Sequence, residues 1–199
     1  MVEVLERGDV AFFIRPRVQP ADGQADTPGV QRFFLVLGAG ERHRRLRIGR
    51  KALPVRRGQR FWATVERVGS LDRVVGDQLE AETYATRTRG ERYQPPARAV
   101  AHGEYAMVRH DDHTHLVYRV DHADDADRLP EEVTIPDAGS FVLLFKHPRG
   151  RARWTTEGDP RELDIEDAEV VLIGVGEEPS AAAEVAAAAA LSARAVDGR

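Results

Sequence analysis

The chain has 199 residues, of which 42% are hydrophobic and 31% charged, with a net charge of −4. That is the composition of a globular, soluble chain, long enough for one large or two small domains. It has no cysteine, which excludes disulfides, thiolate metal sites and cysteine nucleophiles. No run approaches the roughly 18 apolar residues of a membrane helix. The opening "MVEVLERGDV" lacks the basic and apolar regions of a secretory signal, so a cytoplasmic protein is expected.

Charge is unevenly placed. Residues 1–100 carry 19 Lys+Arg against 12 Asp+Glu, and residues 101–199 carry 10 against 21. The halves are oppositely charged and should attract each other.

In chain order, the apolar pattern is mostly of period two, bounded by Gly, Pro and Asp. It predicts strands near 9–15, 30–37, 44–49, 60–68 and 82–89. A second set is predicted near 103–110, 114–120, 131–135, 140–146 and 168–175. Short helices or turns are predicted within 71–81 and 159–167. "QPADGQADTPG" at 19–29 reads as a polar hairpin loop. "PSAAAEVAAAAALSARAV" at 179–196 reads as an alanine-rich helix or tail, with Ser180 as a fair N-cap.

The two sets of five strands resemble one pattern written twice. "GDVAFF" from Gly8 parallels "GEYAMV" from Gly103. "RRLRIG" at 44–49 parallels "EEVTIP" at 131–136, "RFWATV" at 60–65 parallels "SFVLLF" at 140–145, and "EAET" at 80–83 parallels "DAEV" at 167–170. The expectation is a mainly β protein of two similar five-stranded curled-sheet or small-barrel units from a tandem duplication. The first would span 1–92 and the second 93–178, with an Ala-rich tail over 179–199.

Four segments can carry chemistry. "RHDDHTHLVYRV" at 109–120 pairs His110 with His113 if Asp111 and Asp112 form a two-residue turn. That register sets Glu104 opposite Arg119, a favourable cross-strand pair. Tyr105, Met107, Leu116, Tyr118 and Val120 then share the core face. His110, His113 and His115 share the outer one, within reach of a single zinc or other divalent ion. The competing reading is a solvated hairpin tip. The basic run "RHRRLRIGRKALPVRRGQR" at 42–60 holds nine Lys+Arg and no acid. With Leu46 and Ile48 inward, Arg45 and Arg47 point outward, and such a stripe can neutralise phosphates. Aromatics for base stacking would have to come from Phe61 or Trp62, one of which must face the core. The competing reading sets the run against acidic residues of the second half. "TRTRGERYQPPAR" at 86–98 reads as a stiff linker carrying Arg87, Arg89, Arg92 and Arg98. "DHADDADRLPEE" at 121–132 lacks the glycine and terminal glutamate of a calcium loop and reads as a solvated loop.

The phosphate-loop, nucleophile-elbow, HExxH and dinucleotide fingerprints are all missing. "GVGEEP" at 174–179 lacks the glycine spacing of the last. With "ERGDVAFFIRPRV", "VQRFFLVL", "RGERYQPPARAVAHGEYAMVRH", "HTHLVYRV" and "DAEVVLIG", the chain resembles an uncharacterised bacterial protein family. The resemblance runs to about residue 175 and implies no activity, ligand or catalytic residue.

The reading that follows is a non-catalytic binding protein with no required cofactor. Its ligand would be polyanionic, a nucleic acid or a phosphorylated partner, with no membrane. The contact residues would be Arg42, Arg44, Arg45, Arg47, Arg50 and Lys51, extended by Arg87, Arg89 and Arg92. One alternative is a metal-dependent hydrolase using His110, His113 and His115. Another is a structural or homo-oligomeric interaction protein assembled by its opposite charges.

Overall fold

A computed structural model describes residues 2–22, 29–76, 79–110, 112–122, 129–130, 132–146 and 153–176. The Ala-rich segment, most of the 19–29 loop and most of the acidic 121–132 loop lie outside the described residues.

The strands are β1 (Val2–Pro16), β2 (Gln19–Pro20), β3 (Val30–Ala39), β4 (Arg42–Ile48), β5 (Arg60–Gly69), β6 (Glu82–Thr86) and β7 (Gly90–Gln94). They continue with β8 (Arg98–His110), β9 (His113–His122), β10 (Ala138–Lys146), β11 (Trp154–Thr155) and β12 (Glu169–Gly174). A five-residue helix α1 spans Leu71–Val75, capped by Ser70, whose hydroxyl accepts from the Arg73 amide. A 3-10 turn spans Pro160–Asp164, held by a capping box between Asp159 and Glu162.

Eight of the strands close into one antiparallel barrel, in the ring order β1, β3, β4, β5, β12, β10, β9, β8 and back to β1. Each half of the chain supplies an unbroken arc of four. The arcs meet at two seams, β1 with β8 and β5 with β12. Strands β2, β7 and β6 form a separate small sheet.

Alternation explains the interior. Val10, Phe12 and Ile14 of β1 point inward beside Phe33, Leu35 and Leu37 of β3 and Leu46 and Ile48 of β4. Tyr118 bridges the barrel, with its ring centroid 5.2 Å from Phe12 and 5.8 Å from Phe141. An eight-stranded barrel has just enough lumen for its own side chains, so the interior is a packed core and function falls to the outer wall and the ends.

Two glycines on β1 and β8 admit a close approach from their flanking strands β3 and β9. A Cβ on Gly8 would lie 1.7 Å from the Gly38 carbonyl oxygen, and one on Gly103 would lie 1.9 Å from that of Arg119. Both sit where neighbouring backbone approaches too closely for any side chain.

Three expectations are corrected. The strands do not form two separate five-stranded units; they share one closed barrel. Of the strand expected at 131–135, the described residues 132–135 form only an isolated bridge between Thr134 and Ala52, and β7 forms within what reads as a linker. The duplication is not confirmed by the pairing. Gly8 and Gly103 do occupy related places, since Gly8 pairs with Tyr105 and Val10 with Gly103 about a central Asp9–Glu104 pair. The other three matches equate elements of different rank. β5 is the last strand of its arc and β10 the third of its own, while Glu82–Thr86 lies in the small sheet. Periodicity of two is common to all such strands, so it matches out of register as readily as in register.

One charge is sealed in the lumen. Arg44 has the same parity as Leu46 and Ile48, and its side chain is fully buried. Its Nη1 and Nη2 donate to the two Glu6 carboxylate oxygens at 2.5 and 2.9 Å, and its Nε donates to Asp164 at 2.6 Å. Tyr105 donates its hydroxyl to Glu6 at 2.8 Å, and Arg42 also pairs with Asp164. Burial alone lowers the Arg44 pKa, but the hydrogen bonds to Glu6 and Asp164 outweigh it and hold the group above its ordinary value. Removing one member of such a network strands the others in low dielectric. Arg44→Met is expected to cost about 3–5 kcal/mol in urea denaturation, and adding Glu6→Gln should return part of that loss. A near-neutral single variant would show that the network does not stabilise the barrel.

Candidate anion-binding site

The nine basic residues expected on one surface are dispersed. Arg44 lies inside the barrel instead of on its face. Arg42 is exposed and tied to Asp164. Lys51 pairs with Glu132 at 2.7 Å, and Glu132 also accepts from the Val30 amide. Arg50 is exposed in the turn after β4. Arg87 and Arg89 are exposed in the β6–β7 turn, and Arg92 is half-buried on β7. The intramolecular reading therefore accounts for Arg42, Arg44 and Lys51, each of which meets an acid of the second half.

Arg45 and Arg47 remain on the outer wall, as alternation requires. They help to line a cavity of about 220 Å3 with Arg32, Phe34, Thr64, Glu66, Leu79 and Asp167. The register builds it. On the outer face Phe34 of β3 is opposite Arg47 of β4, and Arg47 is opposite Thr64 of β5. A bulge on β5 offsets Arg67 and Val65 against Arg45 and Leu46, which brings the Glu66 side chain to both arginines. Glu66 lies 3.1 Å from Arg47 Nε and 3.4 Å from Arg45 Nε. Arg45 is clamped further, donating to the Val74 carbonyl of α1 at 2.7 Å and lying 5.5 Å above the Phe34 ring.

Three arginines against two carboxylates give the lining a small excess of positive charge. The Arg45 pKa is lowered by burial, and although Glu66 opposes this, Arg67, Arg15 and Arg32 lower it further. Arg15, on the adjacent part of β1, is lowered by burial and then by Arg32. Guanidinium groups that disfavour one another's charge form a site where an anion is welcome. Arg47 is 44% exposed and Arg32 is exposed, so the cavity is open to a ligand. Arg32 and Thr64 escape a reading based on charge runs, because Arg32 is the one charged residue of β3 and Thr64 carries no charge. Outward parity is the signal that finds them.

The wall beside the cavity carries an exposed aromatic. Ala63 and Val65 face the core and Phe61 packs against it, so Arg60, Trp62 and Thr64 face outward along β5. Of the two aromatics at this place, Trp62 is the solvent-facing one, 55% exposed. A wider cleft of about 500 Å3 at the barrel end is lined by Glu6, Glu41 and Arg42 with Ala39, Val68 and Gly69. Its two carboxylates make it the wrong sign for an anion.

The histidine hairpin has the expected register. His110 pairs with His113, Val108 with His115, Ala106 with Val117 and Glu104 with Arg119, and Arg119 lies 3.6 Å from Glu104. The three rings gather on the outer face, with centroids 4.8 to 6.3 Å apart. His113 Nδ1 is 2.7 Å from Asp112, and His115 Nδ1 is 3.1 Å from the Ser140 hydroxyl. The face is less open than a hairpin tip suggests, because β10 pairs with β9 and buries His115. Among the described residues, no group of three His, Asp or Glu is arranged to hold a metal ion. Likewise, no helix among them is long and apolar enough to cross a membrane.

No protein-family model matches the chain, and neither a curated protein nor a solved structure matches it. The site is therefore read from its own geometry.

Burial, and then the charges of His113 and His110, push the His115 pKa down to about 4 from 6.5. Above the unfolded value the ring is neutral in both states and its contribution is fully present. Between that value and about 4 the unfolded chain takes up a proton that the folded chain refuses, so stability falls as pH falls. The loss should reach roughly 3 kcal/mol at the low end. Urea titrations from pH 7 to pH 4.5 are expected to show it, with a shallower decline in His115→Gln. Equal slopes in the two proteins would rule His115 out as the cause.

Proposed function

We propose that the protein is a non-catalytic module that binds a polyanionic ligand at the cavity of Arg32, Arg45, Arg47 and Thr64. The observation that carries this reading is the convergence of three arginines from two strands on one small outer cavity. Glu66 and Asp167 also line the cavity, so its net charge is modest. Glu66 holds Arg45 and Arg47 in place, so less side-chain entropy is lost when an anion arrives. Arginine suits the task because its planar fork donates two parallel hydrogen bonds to a phosphate. The missing nucleophile-elbow and HExxH fingerprints favour binding over catalysis. The reading also takes the ligand to be met in the cytoplasm.

The three-histidine hydrolase has less support, since the rings assemble without forming a metal-holding set. Assembly through opposite charges has less support too, because pairs such as Arg44–Asp164, Lys51–Glu132 and Arg73–Glu166 are already made within one chain.

Phosphate-dominated binding weakens steeply with salt. Anisotropy titrations with labelled inorganic polyphosphate from 50 to 300 mM salt are expected to give a linear fall of log affinity against log salt. Arg32→Ala with Arg47→Ala should reduce that slope by about two and weaken binding at low salt. No affinity at the lowest salt, or an unchanged slope in the double variant, would overturn the assignment.

A further inference from the structure

We infer that the ligand of this site is single-stranded nucleic acid, with a base stacked on Trp62 and backbone phosphates at Arg47 and Arg60. This rests on the anion-binding reading and adds base recognition to it.

Trp62 is the most exposed large hydrophobic residue among those described, and it is placed between cations. Side chains two apart on one face of a strand are about 7 Å apart, so Arg60 precedes Trp62 by one such step. Thr64, a lining residue of the cavity, follows by another. Arg47 is directly opposite Thr64, hence diagonal to Trp62. Along this face the order is cation, indole, then hydroxyl and cation.

Trp62 is 55% exposed, and its cross-strand neighbours are small or buried. The backbone opposite it on the β4 side is Gly49, whose amide donates to the Trp62 carbonyl at 2.7 Å. A glycine there puts no side chain against the ring. On the β12 side the opposite residue is Val171, which is buried. Of the carboxylates near the strip, Glu66 is held by Arg45 and Arg47, and Glu169, opposite Thr64, is held by Lys146.

An aromatic bracketed by arginines along one strand matches how proteins hold unpaired strands. The bases stack on aromatic faces and the backbone tracks a basic groove, without sequence preference. A phosphorylated peptide would use the arginines and leave the indole idle. A duplex hides its base faces, so the exposed indole would have nothing to stack on.

The chain has two tryptophans, so a full-length Trp154→Phe background makes Trp62 the sole indole reporter. Titration with a 10-nucleotide oligo(dT) or oligo(rU) is expected to quench its fluorescence. Polyphosphate of similar charge should bind more weakly and quench little. Trp62→Ala, a change at a solvent-facing position, should weaken oligonucleotide binding roughly 10-fold or more while leaving polyphosphate binding in place. Trp62→Phe should restore most of the affinity. Equal affinity for oligonucleotide and polyphosphate, or no effect of Trp62→Ala, would overturn base stacking and leave the anion site standing. Tighter binding of duplex than of single strand would overturn it as well. If neither polyanion binds, the anion-binding reading fails with it.

Discussion

An antiparallel sheet of eight strands exposes two rows of unpaired backbone groups unless its first and last strands meet. Here they meet through β1, whose fifteen residues are long enough to pair with β3 on one side and β8 on the other. That double pairing is what makes the rest possible. Gly8 serves it by leaving room for the Gly38 carbonyl of β3, and Gly103 does the same for the Arg119 carbonyl of β9. The double pairing fixes the lumen at a width that side chains fill. It also turns each four-stranded arc, which alone would have two edges, into half of a closed wall.

A filled lumen decides where charge can go. Arg44, a guanidinium that parity sends inward, is tolerated because Glu6, Asp164 and Tyr105 meet it at the barrel end. The Pro160–Asp164 turn is therefore more than a connection, since it delivers the second carboxylate. Other opposite charges in the two halves of the chain are used in the same way on the surface. Arg67 and Arg73 share Glu166, and Lys51 takes Glu132. Part of the basic excess of the first half is consumed by folding, and among the arginines that remain, Arg32, Arg45 and Arg47 meet on the outer wall of β3 and β4.

The histidine hairpin and the arginine strand show why one was legible and the other was not. The hairpin is local. Its register follows from a two-residue turn and one opposite-charge pair, and both are visible within a dozen residues. The arginine site is assembled across three strands. Arg32, Arg47 and Thr64 are neighbours only because β4 pairs with β3 on one side and β5 on the other. A search along the chain finds the dense run at 42–60 and overvalues residues such as Arg42 and Lys51, whose acidic partners lie more than eighty positions away. It also undervalues an isolated arginine in an apolar strand.

By itself the sequence determined the β character of the chain, the places of most strands, the faces of the hairpin at 109–120 and the inward side of Leu46 and Ile48 on β4. These depend on period two and on contacts a few residues apart. Only the tertiary structure decided that two sets of strands make one barrel. It also decided that Arg44 is interior, that β7 belongs to a small sheet, and that Trp62 rather than Phe61 faces solvent beside the arginine cavity. Alternation says that successive side chains go to opposite sides. It does not say which side is the core until the sheet curls and closes, and that closure depends on pairing between strands far apart in the chain.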